Sequence, residues 1–291
     1  MFVSGYTFIR NAEKYDYPVK ESILSVLPLV DEMIILVGNS DDNTLGIIES
    51  IHSPKIKIHH SIWDDTLREG GKVLAVETQK AINLVSAKAD WVIGLQADEC
   101  LHEADYYLIK KAMIDNLPNR NVDGLLFEYL HFYGDYAFVA NGRKWYKNEI
   151  RIIRNNADIY SYRDAQGFRK RNNEKLNVVA TGAKVYHYGW VKPPEKQTAK
   201  LKFFHSRWHS DDWVEKEMGK AEKYDYSKID SLKRFAGKHP AVYANRIARY
   251  SPPPNLKEGN FINNPLLKAL NWFENTTGYR IGEYRNYQII S

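Results

Sequence analysis

Residues 90–99, DWVIGLQADE, decide the fold that we predict for this chain. They read as a short apolar run, typical of a buried strand, that ends in a polar cluster with two carboxylates. A carboxylate at such a strand exit can hold Mg²⁺ or Mn²⁺, since these ions take one or two carboxylates and complete their shell with phosphate oxygens and water. The alternative is an N-cap at Asp98, with Glu99 in the first turn of a helix over residues 102–116.

Around this stretch, short apolar runs alternate with helical patterns. The alternation is typical of βαβ units, so we predict an α/β fold class with a Rossmann-like, mainly parallel central sheet flanked by helices. The predicted strands cover residues 2–9, 32–37, 55–60, 90–95 and 124–130, and the helices between them begin at Pro18, near Ile47, after Gly71 and at His102.

A polar cluster follows each of four predicted strands. The clusters are residues 10–11, 38–43, 63–65 and 96–99. Ligands of open α/β sheets bind outside the carboxyl ends of the strands, so we expect the four clusters to share one edge of the sheet.

The chain changes character after residue 130. We divide it into residues 1–130, residues 131–195, which belong to the same domain, and a helical C-terminal extension over residues 196–291 that is basic and rich in aromatic residues. The predicted elements of the later parts are strands over residues 149–153 and 178–188, and helices over residues 196–223 and 264–274.

Bulk composition favours a cytoplasmic protein. Cys100 is the only cysteine, which excludes a disulfide framework or a cysteine-based zinc site within the chain. No stretch approaches the roughly 20 apolar residues of a membrane span, and residues 1–10 lack the features of a signal peptide.

Charge is distributed unevenly. Residues 1–130 hold 12 Lys and Arg against 20 Asp and Glu, whereas the rest holds 29 against 16. The basic part suits an anionic partner, namely substrate phosphates, lipid headgroups or nucleic acid, and the alternative is a solvated face without a partner. No helix-turn-helix or ribonucleoprotein motif is present, so we predict no nucleic-acid binding. Peripheral contact with an anionic membrane, at its inner face, is our hypothesis.

The order of strands, helices and polar exits over residues 2–130 resembles the nucleotide-binding half of family 2 glycosyltransferases, which have the GT-A fold. The resemblance implies that residues 7–11 hold the nucleobase and residues 38–44 contact base and ribose. It also implies that residues 96–98 match the Asp-x-Asp motif, which binds metal and phosphates. The implied nucleotide-sugar-binding residues are Phe8, Arg10, Asn11, Asn39, Ser40, Asp42, Gln96 and Asp98, with Lys72 and Gln79 of the helix after Gly71.

Two positions depart from the family pattern. Gly38 and Asn39 stand where many members have an acidic residue that reads uracil, which leaves the donor base open. Gln96 replaces the first Asp of Asp-x-Asp and adds no charge, whereas Asp98 keeps the position of the more direct metal ligand. Lys72 follows Gly70-Gly71 at a helix N-terminus, an arrangement that attracts phosphate, although the spacing matches no P-loop.

The second half resembles a subgroup of the same family through residues 127–134, 149–154, 164–168 and 186–190. The resemblance implies that His187 is a further metal ligand, and neutral imidazole suits Mn²⁺ better than Mg²⁺. The alternative for His187 is a histidine packed in the core between two tyrosines.

An inverting transferase needs a general base, usually a carboxylate, for the acceptor hydroxyl. In related transferases this base lies between the Arg-x-x-Arg strand and the later His, an interval that holds Asp158, Asp164 and Glu174. We favour Asp164, which stands in a loop with Gly and aromatic residues, against the alternative of a turn-forming Asp. Glu128 is the second candidate.

Residues and resemblance together predict an enzyme of polysaccharide biosynthesis. It would be a hexosyltransferase-like glycosyltransferase that moves a sugar from a nucleoside diphosphate to a glycan or lipid-linked acceptor with Mn²⁺ or Mg²⁺. The alternative, favoured by Gln96, is a catalytically silent GT-A module that binds nucleotide-sugar or glycan as a scaffold. A nucleotidyltransferase would need a Gly-rich signature near the N-terminus, and residues 2–12 have none.

Overall fold

The computed structural model of the protein describes residues 1–68, 70–254 and 256–290. Its first half alternates strands and helices as predicted. In chain order it contains β1 (Val3–Ile9), α1 (Val19–Val26), β2 (Glu32–Val37), α2 (Thr44–Glu49), β3 (Ile56–His60), α3 (Lys72–Asn83), β4 (Trp91–Gly94), β5 (Glu99–Leu101), α4 (Tyr106–Asn116) and β6 (Gly124–Tyr133).

The second half is richer in strands. It contains β7 (Asp135–Ala140), β8 (Asn148–Arg154), β9 (Tyr160–Tyr162), β10 (Gly167–Arg169), β11 (Leu176–Trp190), α5 (Pro194–His205), α6 (Asp211–Met218), β12 (Ser231–Arg234), α7 (Ala244–Arg249), β13 (Gly259–Asn260), α8 (Pro265–Thr277) and β14 (Tyr287–Ile289). Among the described residues, no helix combines the length and the apolar character that crossing a membrane requires.

The predicted fold class is confirmed. Strands lie in the order β3-β2-β1-β4, and all three neighbouring pairs are parallel. Every residue of β2 is buried, because helices cover both faces of the sheet. Met33 and Ile35 pack in the layer of α1 and α4, whereas Ile34 and Leu36 pack in the layer of α3. The carboxyl ends of these strands therefore share one edge.

Beyond β4 the sheet becomes mixed. β8 runs antiparallel between β4 and β6, and β6 pairs in parallel with the long β11. β11 also pairs antiparallel with the short β5. This last pairing matters for function, because it places the end of β11 beside the residues that follow β4.

The N-cap alternative for Asp98 is wrong. Glu99 begins strand β5 instead of a helix, and the helical segment begins later, with a short 3-10 helix at Glu103–Asp105 that leads into α4. The side chain of His102 caps it by accepting a hydrogen bond from the amide of Ala104 over 3.0 Å. Asp98 therefore does not cap a helix, a role that would compete with ligand binding.

The C-terminal extension is only partly helical. The helix predicted over residues 196–223 is interrupted after His205 and resumes at Asp211, because Ser210 accepts a hydrogen bond from the amide of Trp213 over 3.3 Å and begins a new helix. β12 pairs with β7, and β14 pairs with β11. The extension is therefore joined to the central sheet. Its helix α5 lies over the edge of the sheet where the strands β1 and β4 end.

Candidate functional site

A cavity of about 430 Å³ lies at the carboxyl ends of β1 and β4. Helix α5 closes it, so the site combines the predicted strand exits with the C-terminal extension. Its size lies in the range of small-molecule sites. The lining residues are Phe8, Ile9, Arg10, Tyr17, Trp63, Leu74, Gln96, Ala97, Asp98, His187, Trp190, Gln197, Lys200, Leu201, Phe203, Phe204, His205 and Arg207.

The pairing of β11 with β5 brings His187 to Asp98. His187 stands opposite Glu99 in the antiparallel register, and the amide of Tyr188 donates to the carbonyl oxygen of Asp98 over 2.8 Å. As a result, Nε2 of His187 lies 3.8 Å from Oδ2 of Asp98. The structure thus unites the two predicted metal ligands, which are 89 residues apart in the chain.

Lys200 of α5 completes this cluster. Its ammonium nitrogen lies 2.9 Å from Oδ2 of Asp98 and 2.9 Å from the carbonyl oxygen of Gly189. Gly189 leaves the space for the contact, since a Cβ atom there would lie 2.5 Å from Oδ2 of Asp98. We call Asp98, His187 and Lys200 the charged cluster.

Burial and neighbouring charges set the ionisation of the cluster. Burial would raise the pKa of Asp98, but the positive charge and hydrogen bond of Lys200, with a contribution from His187 when it is protonated at low pH, outweigh it and hold this pKa well below its usual value. Burial lowers the pKa of His187 to about 4, against the opposing effect of Asp98. Near neutral pH Asp98 is therefore a carboxylate and His187 a neutral imidazole.

The other ring nitrogen of His187 is engaged with a second histidine. Nδ1 of His187 lies 3.2 Å from Nδ1 of His131, so one ring donates and the other accepts. Burial lowers the pKa of His131 to about 3, and Nε2 of His131 lies 2.8 Å from the carbonyl oxygen of Tyr146. This contact orients Nε2 of His187 toward Asp98 and the cavity.

The donor set for a divalent cation is sparse. Asp98 and His187 are adjacent, but Oδ2 of Asp98 is already bonded to Lys200, and Gln96 supplies no charge. Within the described residues, no group of three or more His, Cys, Asp and Glu side chains is placed to hold a metal. With Lys200 in this position the residues do not fit a divalent cation, and the metal assignment of Asp98 and His187 stays a prediction.

Glu99 has a structural role. Its carboxylate is fully buried and accepts two hydrogen bonds of 2.7 Å from Arg151 and one of 2.9 Å from Tyr129. Arg154 donates instead to backbone carbonyls at and beyond the end of α4, namely those of Asn116 and of Val122, the latter over 2.7 Å. Neither arginine lines the cavity among the residues described.

A second part of the cavity lining is aromatic. The rings of Phe8 and Trp63 lie 6.0 Å apart, and those of Trp63 and Phe203 lie 6.3 Å apart. Arg10 and Arg207 flank these rings, and both donate to Oδ1 of Asp65, over 2.8 and 2.7 Å. Two guanidinium groups therefore share one carboxylate, which leaves excess positive charge at this end. We call the rings of Phe8, Trp63 and Phe203 the aromatic end of the cavity.

Several buried polar atoms around the cavity have no hydrogen-bond partner within the part of the chain that the structure describes. Gln197 is fully buried, yet both polar atoms of its amide lack a hydrogen-bond partner among the residues described. Buried polar groups are almost always paired, so an unpaired set that lines one cavity suits contact with a polar ligand. The other members of the set are Trp63 Nε1, Arg10 Nε, Arg207 Nε and His205 Nδ1.

The predicted binding residues after β1 and β2 support the cavity wall through hydrogen bonds. The amide of Asn11 donates to Oγ of Ser40 over 3.0 Å, and Oδ1 of Asn11 accepts from the amide of Asp41 over 2.9 Å. Asp42 accepts from the amide of Thr44 at the start of α2. The side chain of Asn39 accepts from the amide of Trp63 over 3.2 Å. These bonds position the strand exits, and their contact with a nucleoside stays a prediction.

Lys72, Gln79 and Asp164 line a neighbouring cavity of about 760 Å³. Gln79 is engaged there, since its Oε1 accepts from the amide of Ser161 over 3.0 Å. Burial raises the pKa of Asp164. Trp208 lines this cavity and the preceding Arg207 lines the first one, so the two cavities adjoin at the end of α5.

Glu128 lies elsewhere. It is exposed on β6 and lines a third cavity, where its carboxylate lies 3.7 Å from the ammonium group of Lys184. Asp164 therefore lines a cavity that adjoins the one at the charged cluster, whereas Glu128 lines the third cavity. The assignment of either carboxylate as general base stays a prediction.

Four residues of the cavity were not predicted from the sequence: Lys200, Gln197, Phe203 and Arg207. All belong to α5 or follow its end, and the only signal was a segment that mixes charges with aromatic residues. Glu149, which lines a cavity of about 260 Å³ together with Asp164, was not predicted either. Burial raises the pKa of Glu149 to about 8. Its signal was a carboxylate inside an apolar strand.

Comparison with known proteins finds no matching family model and no matching curated protein. Solved structures do match. S. aureus TarS is 16% identical with a TM-score of 0.41, over 70% of this chain and 39% of that one. The 4-diphosphocytidyl-2C-methyl-D-erythritol synthase of Anaerococcus prevotii DSM 20548 is 12% identical with a TM-score of 0.39, over 70% of this chain and 94% of that one.

A third match is glucosyl-3-phosphoglycerate synthase from Mycobacterium tuberculosis in complex with Mn²⁺, UDP and phosphoglyceric acid. It is 17% identical with a TM-score of 0.31, over 45% of this chain and 43% of that one. The chain thus spans less than half of both TarS and this synthase. The residues of the cavity, and not these likenesses, carry the functional conclusion.

Proposed function

We propose that this protein is a nucleotide-sugar-dependent glycosyltransferase that moves a sugar to a glycan or lipid-linked acceptor. One observation supports the proposal above others: a single cavity is lined both by the aromatic end, with Phe8, Trp63 and Phe203, and by the charged cluster. A nucleoside diphosphate has two matching parts, namely a flat base for the aromatic rings and an anionic diphosphate for the charged cluster. The cavity lies at the strand exits where α/β sheets bind ligands.

The aromatic end suits the nucleoside. Aromatic rings bind a base through stacking, and Arg10 and Arg207 add cationic groups near the ribose and the phosphates. Nε1 of Trp63 and the amide of Gln197 offer unpaired donors and an acceptor for the edge of the base or for ribose hydroxyls. The base that binds should be the one whose edge forms hydrogen bonds with these groups.

In the proposed reaction the acceptor oxygen forms a bond to the anomeric carbon of the donor sugar. The bond between that carbon and the phosphate oxygen breaks, and the nucleoside diphosphate leaves with the electron pair. The acceptor hydroxyl gives its proton to a carboxylate, for which we propose Asp164 and, second, Glu128. Burial raises the pKa of Asp164, which makes it a stronger base than an exposed carboxylate. Attack from the face opposite the diphosphate inverts the anomeric centre.

The test is a panel of nucleoside diphosphates and their sugars, measured by calorimetry for binding and by product analysis for donor hydrolysis and transfer. We expect one base to bind, with turnover of its sugar derivative. Trp63→Ala should weaken this binding by about tenfold or more, as expected for a lost base–aromatic stack. Trp272→Ala, at an exposed residue of α8, is the matched control and should bind normally.

Two results would argue against the proposal. If no nucleotide of the panel binds, the cavity does not serve a nucleotide-sugar. If a nucleotide-sugar binds tightly but is neither hydrolysed nor transferred with any acceptor of the panel, the chain is the silent binding module of the alternative hypothesis.

A further inference from the structure

Two protein acceptors fix the ammonium group of Lys200 at the charged cluster. Oδ2 of Asp98 and the carbonyl oxygen of Gly189 each lie 2.9 Å from Nζ. The ring of Tyr17 lies on another side, with its centroid 5.0 Å from Nζ. An ammonium group has three N–H donors, and these contacts use two of them. The third remains for a ligand, and Lys200 lines the cavity.

We infer that Lys200 takes the place of a divalent cation, so that the donor diphosphate binds to its ammonium group without a metal. The inference rests on the proposed function, since it concerns the diphosphate of the same donor. It goes beyond that function because it assigns the positive charge of the site to a side chain of α5.

The charges of the cavity support this assignment. Lys200, Arg10 and Arg207 are cationic, and the carboxylates bonded to them are Asp98 and Asp65. The side chains therefore leave a net positive charge that is complementary to a diphosphate, whereas a cluster without Lys200 would hold only the negative charge of Asp98.

Asp98 then acts as a positioning residue. Its carboxylate accepts a hydrogen bond from the ammonium group over 2.9 Å and so holds it in one orientation. A metal in the same place would have to displace this bond. The next carboxylate along the chain, Glu99, cannot help, since Arg151 and Tyr129 occupy it.

During transfer the ammonium group would donate a hydrogen bond to an oxygen of the leaving diphosphate. That oxygen gains negative charge as its bond to the anomeric carbon breaks, and the hydrogen bond strengthens in step. The ammonium group keeps its proton throughout. No redox or covalent step involves Lys200.

The test measures the Kd of UDP, GDP, ADP and CDP and of their nucleosides. Each ligand is titrated once with EDTA and once with Mn²⁺. With EDTA we expect the protein to bind one diphosphate, and we expect Mn²⁺ to change its Kd less than about threefold. Lys200→Met should weaken the diphosphate by about tenfold to a hundredfold, the value of a charge-assisted hydrogen bond, and leave the nucleoside unchanged.

Lys202→Met is the matched control on the same helix. Nζ of Lys202 bonds to the carbonyl oxygen of Gly219 over 3.2 Å and not to the cluster. This variant should bind the diphosphate like the unaltered protein. Circular dichroism and thermal unfolding of both variants show whether α5 still folds, and Lys200→Arg, which keeps the charge, should recover part of the lost affinity.

Three results would overturn the inference: a diphosphate that binds only with Mn²⁺, an affinity that Lys200→Met leaves unchanged, or saturable binding of Mn²⁺ to the unaltered protein in an EPR titration. The EPR titration needs no nucleotide. Failure of the proposed function looks different, because then no nucleoside or diphosphate of the panel binds under any condition, and the inference falls with it.

Discussion

The backbone amide of Tyr188 donates to the carbonyl oxygen of Asp98 over 2.8 Å. This bond holds the end of β11 against the residues that follow β4. It brings His187 and Gly189, the neighbours of Tyr188, close to Oδ2 of Asp98. A single contact between distant parts of the chain therefore shapes the place where a diphosphate would bind.

Asp98 and Lys200 should be energetically coupled. Both are largely buried and bonded over 2.9 Å, so removal of one leaves the other unpaired. We expect Asp98→Ala alone to destabilise the protein by on the order of 3 kcal/mol. In a double-mutant cycle with Lys200→Met, the coupling free energy should be about 1–3 kcal/mol, measured by chemical denaturation. Additive effects would show that the ion pair contributes nothing to stability.

Asp98→Asn, which keeps the shape of the side chain, should also lose transfer activity.

Gly189→Ala should damage the charged cluster. A Cβ atom there would lie 2.5 Å from Oδ2 of Asp98 and 2.7 Å from Nε2 of His187, so these side chains must move apart. Overpacking of this kind costs about 1–3 kcal/mol. We expect lower thermal stability and weaker diphosphate binding, while the affinity for the nucleoside, held at the aromatic end, stays the same. Unaltered diphosphate binding would contradict the described geometry.

Glu149 should make stability depend on pH. Burial, with the charges of Glu99 and Asp164, raises its pKa to about 8 despite the opposing effect of Arg151. Between the ordinary value near 4.5 and about 8, the folded protein holds a proton that the unfolded chain has lost. Stability should therefore fall as pH rises through this window, by up to roughly 1.4 kcal/mol per pH unit.

Glu149→Gln isolates this contribution. The amide cannot ionise, so the difference in unfolding free energy between the variant and the unaltered protein should grow from pH 5 to pH 8 in favour of the variant. Denaturant titrations at four pH values measure it. A difference that is constant with pH would mean that Glu149 titrates near its ordinary value.

The basic second part of the chain predicts contact with an anionic membrane. Residues 131–291 hold 29 Lys and Arg against 16 Asp and Glu. We expect sedimentation with vesicles that contain phosphatidylserine or phosphatidylglycerol at low salt, and release at high salt, because salt screens exposed charges. Vesicles of phosphatidylcholine alone are the control. A protein that ignores anionic vesicles at low salt would refute the hypothesis.

Much of the fold could be predicted from local patterns. The strand at Glu32–Val37 and the helix after Gly71 follow from apolar periodicity and turn residues, which act over a few neighbouring positions. The strands of the extension, such as Ser231–Arg234, could not be predicted, because pairing with a distant strand stabilises them more than their own residues do.

The sequence by itself determined the parallel arrangement of β1 to β4, and with it the position of Asp98 at a ligand edge, since each depends on short-range periodicity. Only the tertiary structure decided which groups meet Asp98. Lys200 is 102 residues away and reaches it through the packing of α5, and His187 reaches it through the register of β11 against β5. Such contacts depend on how whole elements pack, which no local pattern of residues encodes.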